Sequence, residues 1–190
     1  MTELEVYIKS YLGITRPDDM QLLMEKFKVT TMKKGEYFLK TGRYCDKLSF
    51  VQSGLIRVYA LSDDREVTQW ISSKGFFVTD LASLVFNVPA RWTIQTLSDV
   101  ELYTISKEDY HNLKHHVPQW PELEKLFIAK CFTMLEDRIF SHLSMSAEER
   151  YQLLFEQQPD LFNQVPLQYL ASMLGMTPET FSRVRKKMME

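Results

Sequence analysis

Apolar residues change their spacing along the chain, and each change predicts a different kind of secondary structure. In the first 26 residues they recur every three or four positions, and Pro17 begins a second stretch of the same kind, so we predict two helices there. Between residues 28 and 106 short apolar runs alternate with turn residues, which is typical of strands. Helical spacing returns in residues 107–143 and again in residues 146–190.

Six of the short runs have the length of a single strand: EYFLKTG, KLSFVQSG, LIRVYALSDD, REVTQWIS, WTIQTLSD and VELYTIS. Glycines at positions 35, 42, 54 and 75 and an Asp-Asp pair at 63–64 supply the turns between runs. Regular short strands of this kind indicate a β-sandwich or barrel, and the run LSFVQSGLIRVYAL is apolar on both faces, as expected in a small roll.

The helical region that follows VPQWPE carries two apolar stripes. One contains Ile128, Phe132, Leu135 and Ile139, and the adjacent one contains Phe127, Cys131 and Met134, with Arg138 among them. Two apolar faces need two partners. Either the helix is buried between domains of its own chain, or one stripe packs on the β-roll and the other on a second copy of the helix. We favour the second interpretation, a homodimer through residues 121–143.

The C-terminal segment contains signals for the ends of three helices. A Ser-x-x-Glu capping box at Ser146 opens the first helix. Pro166 lies near the start of the second helix, and Gly175 follows its end. Thr177 has the chemistry of an N-cap for the third helix, with Pro178 at its first position.

The last two of these helices, joined by a turn that contains glycine, suggest a helix-turn-helix. Ala171 is small enough for a close crossing of the two helices, and Gly175, four residues later, tolerates a positive φ. Such a pair has to bury five positions, and all five are apolar here: Leu170, Leu174, Met176, Phe181 and Val184.

Burial of that set leaves one polar face on the final helix, made of Thr177, Glu179, Ser182, Arg183 and Lys186. Arg183 can donate two hydrogen bonds to O6 and N7 of guanine, Glu179 can accept one from N4 of cytosine, and Ser182 can reach a base or a phosphate. Three basic residues near the helix end suit phosphates: Arg185, Lys186 and Lys187. A basic helix end alone is explained by the helix dipole. Together with the packed helix pair, it predicts binding to double-stranded DNA.

Overall charge and cysteine usage narrow the partners and the compartment. The net charge is −2, so a nucleic-acid site has to be a local patch. No apolar run approaches the roughly 18 residues of a membrane span, and the N-terminus lacks a signal peptide, so we expect no membrane contact and a cytoplasmic protein. Cys45 and Cys131 lack metal-type spacing, and we interpret them as reduced thiols, with a cross-subunit disulfide through Cys131 as the alternative.

Enzyme and metal-centre functions lack the residues that they need. Small β-barrel metalloenzymes use clustered histidines, but the first histidine, His111, lies after the β region. His115 and His116 are adjacent and point apart on a helix. An iron–sulfur sensor needs four cysteines, and two are present. No nucleophile–base pattern or phosphate-cradling loop is found either, so we expect no catalysis and no metal.

The whole chain resembles the cyclic-AMP receptor protein and fumarate-nitrate regulator (Crp/Fnr) family of bacterial transcription factors. KKGEYFLKTGRYCDKLSFVQSGLIRVY resembles the opening of that family's sensor domain, and ETFSR resembles its recognition-helix motif Glu-x-x-Ser-Arg. AEERYQLLFEQQPDLFNQVPLQYLASMLGMTPETFSRVRK is similar to short members of Bacteroidetes type, which end just after the recognition helix. The resemblance therefore implies base contacts for Glu179, Ser182 and Arg183, and RNA polymerase and a small-molecule effector as partners.

The resemblance also implies an α+β fold. We expect a cyclic-nucleotide-binding-like β-roll of jelly-roll type, a long dimerisation helix and a C-terminal winged-helix-like unit with a truncated wing. The corresponding domains are residues 1–118 for the N-terminal helices and the sensor, 119–145 for the dimerisation helix and 146–190 for the helix-turn-helix.

The family's phosphate-binding cassette has a Gly-Glu pair followed about ten residues later by Arg-Ser. This chain has Thr-Asp and Arg-Trp at those places, and the positions that read the adenine fall near residues 135 and 136. The candidate ligand-binding residues are therefore Thr79, Asp80, Arg91, Trp92, Leu135 and Glu136. Asp80 is shorter than Glu and Trp92 lacks the hydroxyl, so we expect no cyclic-AMP binding tighter than roughly 100 μM and assign no cofactor. Arg91 as a structural ion-pair partner remains the alternative to phosphate binding.

Two functions follow from these patterns. The first is a homodimeric, sequence-specific DNA-binding transcription regulator that reads a palindromic operator and responds to an unknown effector. The alternative is a cyclic-nucleotide-binding regulatory protein that acts through protein contacts. The alternative explains the roll but not the pattern of Ala171, Gly175 and Phe181, so we favour the first.

Overall fold

Two four-stranded antiparallel sheets face each other in the N-terminal half of the chain. The computed structural model describes residues 2–13 and 16–189, and within them the strand orders are β1-β8-β3-β6 and β2-β7-β4-β5. Strands distant in sequence are thus neighbours, as in a jelly-roll. The strands are β1 (Lys28–Met32), β2 (Tyr37–Leu39), β3 (Lys47–Ser53), β4 (Ile56–Ser62), β5 (Arg65–Ser72), β6 (Phe77–Val78), β7 (Thr93–Thr96) and β8 (Val100–Ser106).

All six strands predicted from the apolar runs are present. The space between the sheets is filled by fully buried aliphatic side chains such as Val51, Ile56 and Ile94. Gly54 has to be glycine because its φ is +87° and a Cβ atom there would lie 2.3 Å from the carbonyl oxygen of Asp99. The additional strands β1 and β6 are short or largely exposed, so their residues lack a clear alternating pattern.

Helices surround the roll and form the C-terminal unit. They are α1 (Glu3–Leu12), α2 (Pro17–Glu25), α3 (Leu81–Phe86), α4 (Lys107–His116), α5 (Trp120–Ser144), α6 (Ala147–Gln157), α7 (Leu161–Gln164), α8 (Leu167–Met173) and α9 (Pro178–Met189). The predicted capping box is confirmed, since Ser146 Oγ accepts from the Glu149 amide and the Glu149 carboxylate accepts from the Ser146 amide. None of the helices in the described ranges is long and apolar enough to cross a membrane.

The long helix α5 presents its two apolar stripes to different surroundings. Phe127 is buried in the cluster that α1, α2 and α4 form against the roll, and Cys131 and Met134 pack against the same cluster. The other stripe is open to solvent in the single chain: Ile128, Phe132, Leu135 and Ile139. The interpretation in which both stripes are buried within one chain is therefore wrong. The exposed residues leave a continuous apolar face, which we call the α5 seam.

Both cysteines are free thiols in the structure. Cys45 is buried in the core of the roll, and burial raises the pKa of the Cys131 thiol to about 11. Because the thiolate is the reactive form, Cys131 is poorly reactive at neutral pH. This environment favours the interpretation of Cys131 as a reduced thiol.

Candidate nucleic-acid interface

Helices α8 and α9 pack against each other as the sequence predicts. Ala171 is fully buried at their crossing, as are Leu170 and Phe181. Leu174 and Val184 are also buried, whereas Met176 is only partly so. The Phe181 ring lies 5.3 Å from the Tyr151 ring and 6.0 Å from the Phe162 ring, between centroids, so an aromatic cluster holds α9 on α6 and α7.

The turn between the two helices is a Schellman motif. The Gly175 amide donates to the Ser172 carbonyl oxygen at 3.1 Å, and the Met176 amide donates to the Ala171 carbonyl oxygen at 2.9 Å. Gly175 has a φ of +67°, which confirms the reason for glycine at this position. The motif satisfies the carbonyl groups of Ala171 and Ser172 near the end of α8 and fixes the direction in which α9 leaves the turn.

The first turn of α9 has the predicted capping chemistry. Thr177 Oγ1 accepts from the Thr180 amide at 3.2 Å, and Pro178 is the first helical residue. Hydrogen bonds from its own backbone amide and from the Thr177 side chain hold the pKa of Glu179 below its ordinary value. Glu179 is therefore an ionised acceptor at neutral pH, as a contact with cytosine N4 requires.

The predicted outer face of α9 is open to solvent. All five predicted residues of this face are exposed: Thr177, Glu179, Ser182, Arg183 and Lys186. We call these residues the α9 face. Arg185 is half-buried, and Lys187 Nζ lies 2.8 Å from both carboxylate oxygens of Glu148 on α6. A phosphate contact by Lys187 therefore requires this exposed ion pair to open, which costs little because such pairs contribute roughly 0–1 kcal/mol.

The candidate sensor site is built around a buried carboxylate. Asp80 is only 2% exposed and caps α3 by accepting from the Ser83 amide at 3.0 Å. Its second oxygen accepts from the amides of Arg91 and Trp92 at 3.0 and 3.3 Å. Both carboxylate oxygens are thus occupied by the protein backbone. The carboxylate therefore joins the start of α3 to the residues just before β7, and its role in ligand binding remains a prediction.

The neighbours of Asp80 are also engaged within the protein. The Arg91 guanidinium lies over the Trp92 ring at 4.9 Å. Among the described residues it forms no ion pair, which was the alternative to phosphate binding. The Trp92 ring packs partly against the core of the roll, and Thr79 Oγ1 donates to the Lys47 carbonyl oxygen at 2.9 Å. The structure therefore brings Thr79, Asp80, Arg91 and Trp92 into one region around α3.

Leu135 and Glu136 are exposed on α5. No hydrogen bond among the described residues connects either of them to Asp80 or Arg91. Their role in ligand binding remains a prediction. Residues 2–13 and 16–189 contain no cluster of three or more His, Cys, Asp and Glu side chains that could hold a metal ion.

Two arginines, the buried Arg57 and the half-buried Arg138, are functional candidates that the sequence reasoning missed. Arg57 on β4 and Arg138 on α5 both lie between the roll and the C-terminal helices. Each had a signal in the sequence, since Arg57 interrupts the apolar run LIRVYAL and Arg138 interrupts an apolar stripe. A charged residue inside an apolar pattern marks a buried polar contact or an error in the pattern.

A β-roll, a long helix and a packed helix pair follow one another along the chain, and this order defines the class of the fold. Residues 29–116 match the family described as "Cyclic nucleotide-binding domain". A search of curated proteins found no match. The resemblance of this region to a cyclic nucleotide-binding domain is therefore confirmed.

Solved structures of bacterial regulators share the fold over most of the chain. FixK2 of Bradyrhizobium japonicum is 17% identical, with a TM-score of 0.71 and coverage of 85% of this chain and 83% of that one. CLP, the c-di-GMP-responsive global regulator of Xanthomonas campestris, is 18% identical, with a TM-score of 0.67 and 90% coverage of both chains. The catabolite activator protein of Thermus thermophilus is 20% identical, with a TM-score of 0.60 and coverage of 95% and 85%. The predicted Crp/Fnr-type fold is thus confirmed.

Proposed function

We propose that this chain is a homodimeric, sequence-specific DNA-binding regulator of transcription that works in the cytoplasm. The observation that carries the proposal is the α9 face, whose five polar or charged residues are exposed while Phe181 and Val184 pack the opposite side of the helix on the C-terminal core. A helix held this rigidly can enter the major groove and present the same side chains at each binding event. RNA polymerase is the expected partner of the DNA-bound protein.

The α5 seam supports the dimer. Ile128, Phe132, Leu135 and Ile139 recur at intervals of four, three and four residues, which is the spacing of a coiled-coil seam. Large apolar side chains that stay exposed along several turns of a helix mark an interaction surface. A second copy of α5 has the same stripe, so a two-fold axis along the seam would pair each residue with its equivalent.

Selection from random double-stranded DNA tests the proposed function directly. We expect the purified protein to retain fragments with two inverted half-sites whose centres lie about one helical turn apart. Selection of single half-sites only would contradict the dimeric part of the proposal. If no sequence is enriched, DNA recognition is wrong, and the alternative of a regulatory protein that acts through protein contacts gains support.

Arg183 and Lys186 should contribute to DNA binding in different ways. Replacing Arg183 by Ala should weaken binding to the selected operator by about 1–3 kcal/mol and relax selectivity at one base pair, because the two hydrogen bonds to guanine are lost. Replacing Lys186 by Ala should weaken all DNA sequences equally and lower the salt slope of the binding constant by about one. Titrations of operator variants at several salt concentrations distinguish the two. Identical behaviour of the two variants would contradict the base contact of Arg183.

Cyclic AMP should bind no more tightly than roughly 100 μM. The Asp80 carboxylate already accepts from three backbone amides, and Trp92 places an indole where the family has a serine hydroxyl. The effector is then a different molecule, or the domain works without one. Calorimetry with cyclic AMP and cyclic GMP measures this, with operator binding by the same preparation as the control for folded protein. Micromolar binding that is lost in Arg91→Ala would overturn the expectation.

A further inference from the structure

The C-terminal helices, which we call the head, are docked on one sheet of the roll. Helix α8 packs against β5, the edge strand of the β2-β7-β4-β5 sheet. Leu55 and Ile71 of the roll belong to the same buried cluster as Leu170 and Phe181 of the head. The head therefore shares a hydrophobic core with the sensor.

A bulge in β5 leaves polar backbone groups free to bond with side chains of α5 and α8. Val58 pairs with Trp70 and Tyr59 pairs with Thr68, so Gln69 is an extra residue without a partner on β4. The Gln69 carbonyl oxygen accepts from Arg138 of α5. The adjacent Thr68 amide donates to Ser172 Oγ of α8 at 2.9 Å. The edge of the sheet is thus completed by side chains from α5 and α8.

Arg138 connects three parts of the molecule. Besides Gln69 of the roll, its guanidinium donates to the Met173 carbonyl oxygen in the last turn of α8 at 3.0 Å. It also lies over the Trp70 ring at 5.3 Å. Burial lowers the pKa of Arg138 to about 10, so the side chain is still charged at neutral pH. A cation is favourable at this position because the carbonyl groups of a helix C-terminus carry partial negative charge.

Arg57 connects the roll to the head in a second place. It is only 2% exposed, and it donates to Thr68 Oγ1 at 3.0 Å and to the Glu66 carboxylate at 2.5 Å. Its guanidinium lies between two aromatic rings, 4.2 Å from the Tyr59 centroid and 3.6 Å from the Tyr169 centroid. Tyr59 belongs to the roll, and Tyr169 belongs to α8. This stack holds the head through a contact that depends on orientation.

We propose that Arg57 and Arg138 are positioning residues that set the distance and angle between the two heads of the dimer, and so determine which half-site spacing the protein accepts. The inference rests on the proposed DNA-binding function. Docking covers α8 and leaves the α9 face exposed, so the docked position is compatible with reading DNA. A head fixed to the roll can reach a second half-site only at one spacing. A head that is held only by the chain between α5 and α6 can turn to reach several.

Three DNA probes and two variants test this inference. The probes are the selected operator, the same operator with five base pairs added between its half-sites, and a single half-site. The variants are Tyr169→Leu, which removes the ring under Arg57, and Arg138→Met, which removes the hydrogen bonds to both carbonyl groups. Added length of about half a helical turn places the second half-site on the other side of the duplex.

We expect the wild-type protein to bind the lengthened operator at least about tenfold more weakly than the selected operator. For each variant, the affinities for these two operators should differ by less than about threefold, because a freely tethered head tolerates a changed geometry. Affinity for the single half-site should stay within about twofold of wild type, because the α9 face is unchanged. Tyr44→Leu and Arg43→Met are the matched controls, since both residues are exposed on the roll, and they should keep the tenfold difference.

The outcomes separate the inference from the function on which it rests. Failure of the wild type to bind any selected DNA would overturn the proposed function. Wild-type binding together with an unchanged spacing penalty in both folded variants would overturn the positioning role alone. Thermal unfolding and circular dichroism establish that each variant is folded. The variants lie on different helices, so loss of folding in one leaves the other to decide.

Discussion

Phe132→Glu should abolish the dimer at micromolar concentration. Phe132 is 59% exposed in the single chain and lies in the middle of the α5 seam, where a two-fold axis would bring it close to its own equivalent. The substitution then places two carboxylates in one apolar interface. An unpaired charge buried in this way costs about 3–5 kcal/mol, which corresponds to at least a hundredfold rise of the dimer dissociation constant. Ile128→Glu, one turn earlier, should have the same effect.

Sedimentation velocity and light scattering measure this result, and operator binding should fall with the dimer. Thr133→Glu is the matched control, because Thr133 is exposed and lies about 100° around the helix from Phe132. Its dimer should be as stable as that of the wild type. A wild-type protein that is monomeric at micromolar concentration would contradict the seam, as would a dimer that is insensitive to both glutamate substitutions.

Local patterns were sufficient to predict most elements of the fold. The six predicted strands alternate with glycines and aspartates whose turn chemistry is local, and the capping box at Ser146 is a contact between residues three apart. The Schellman turn at Gly175 is equally local. The structure differs where the pattern is weak, as in β6, which is two residues long and held by pairing with β3. Such an element exists because of its neighbour and leaves no signal of its own.

The contacts between roll and head could not be predicted, because they join residues far apart in sequence. Thr68 and Ser172 are 104 positions apart, and the bulge that exposes the Gln69 carbonyl group is defined only by the pairing of β4 with β5. The α9 face, in contrast, was predictable from the 3.6-residue period alone. Arg57 and Arg138 show what the pattern does contain: each is a charged residue in an apolar run, which indicates a buried partner without identifying it.

Asp80 illustrates the same limit at the sensor site. Its position relative to Arg91 suggested a ligand-binding carboxylate, because the family's cassette has an acidic residue there. The structure shows that the carboxylate points inward and is an acceptor for backbone amides eleven and twelve residues further along the chain. The shorter side chain of aspartate is well suited to this, since it reaches the amides of its own loop and also caps α3.

Asp80→Ala should lower the free energy of unfolding by about 2–5 kcal/mol, because the amides of Ser83, Arg91 and Trp92 lose their buried acceptor. Each unsatisfied buried donor costs about 1–3 kcal/mol, and water that enters the space left by the side chain reduces the total. Urea unfolding followed by tryptophan fluorescence measures the change.

Asp99→Ala is the matched control, because Asp99 also accepts from a backbone amide, that of Lys34, but its side chain is 63% exposed. Water can replace that acceptor, so the control should lose less than about 1 kcal/mol. Equal losses in the two variants would contradict the structural role of Asp80. A large loss for Asp80→Ala alone would show that this carboxylate holds the segment from α3 to β7 together, and would support the expectation that it is not available to a cyclic nucleotide.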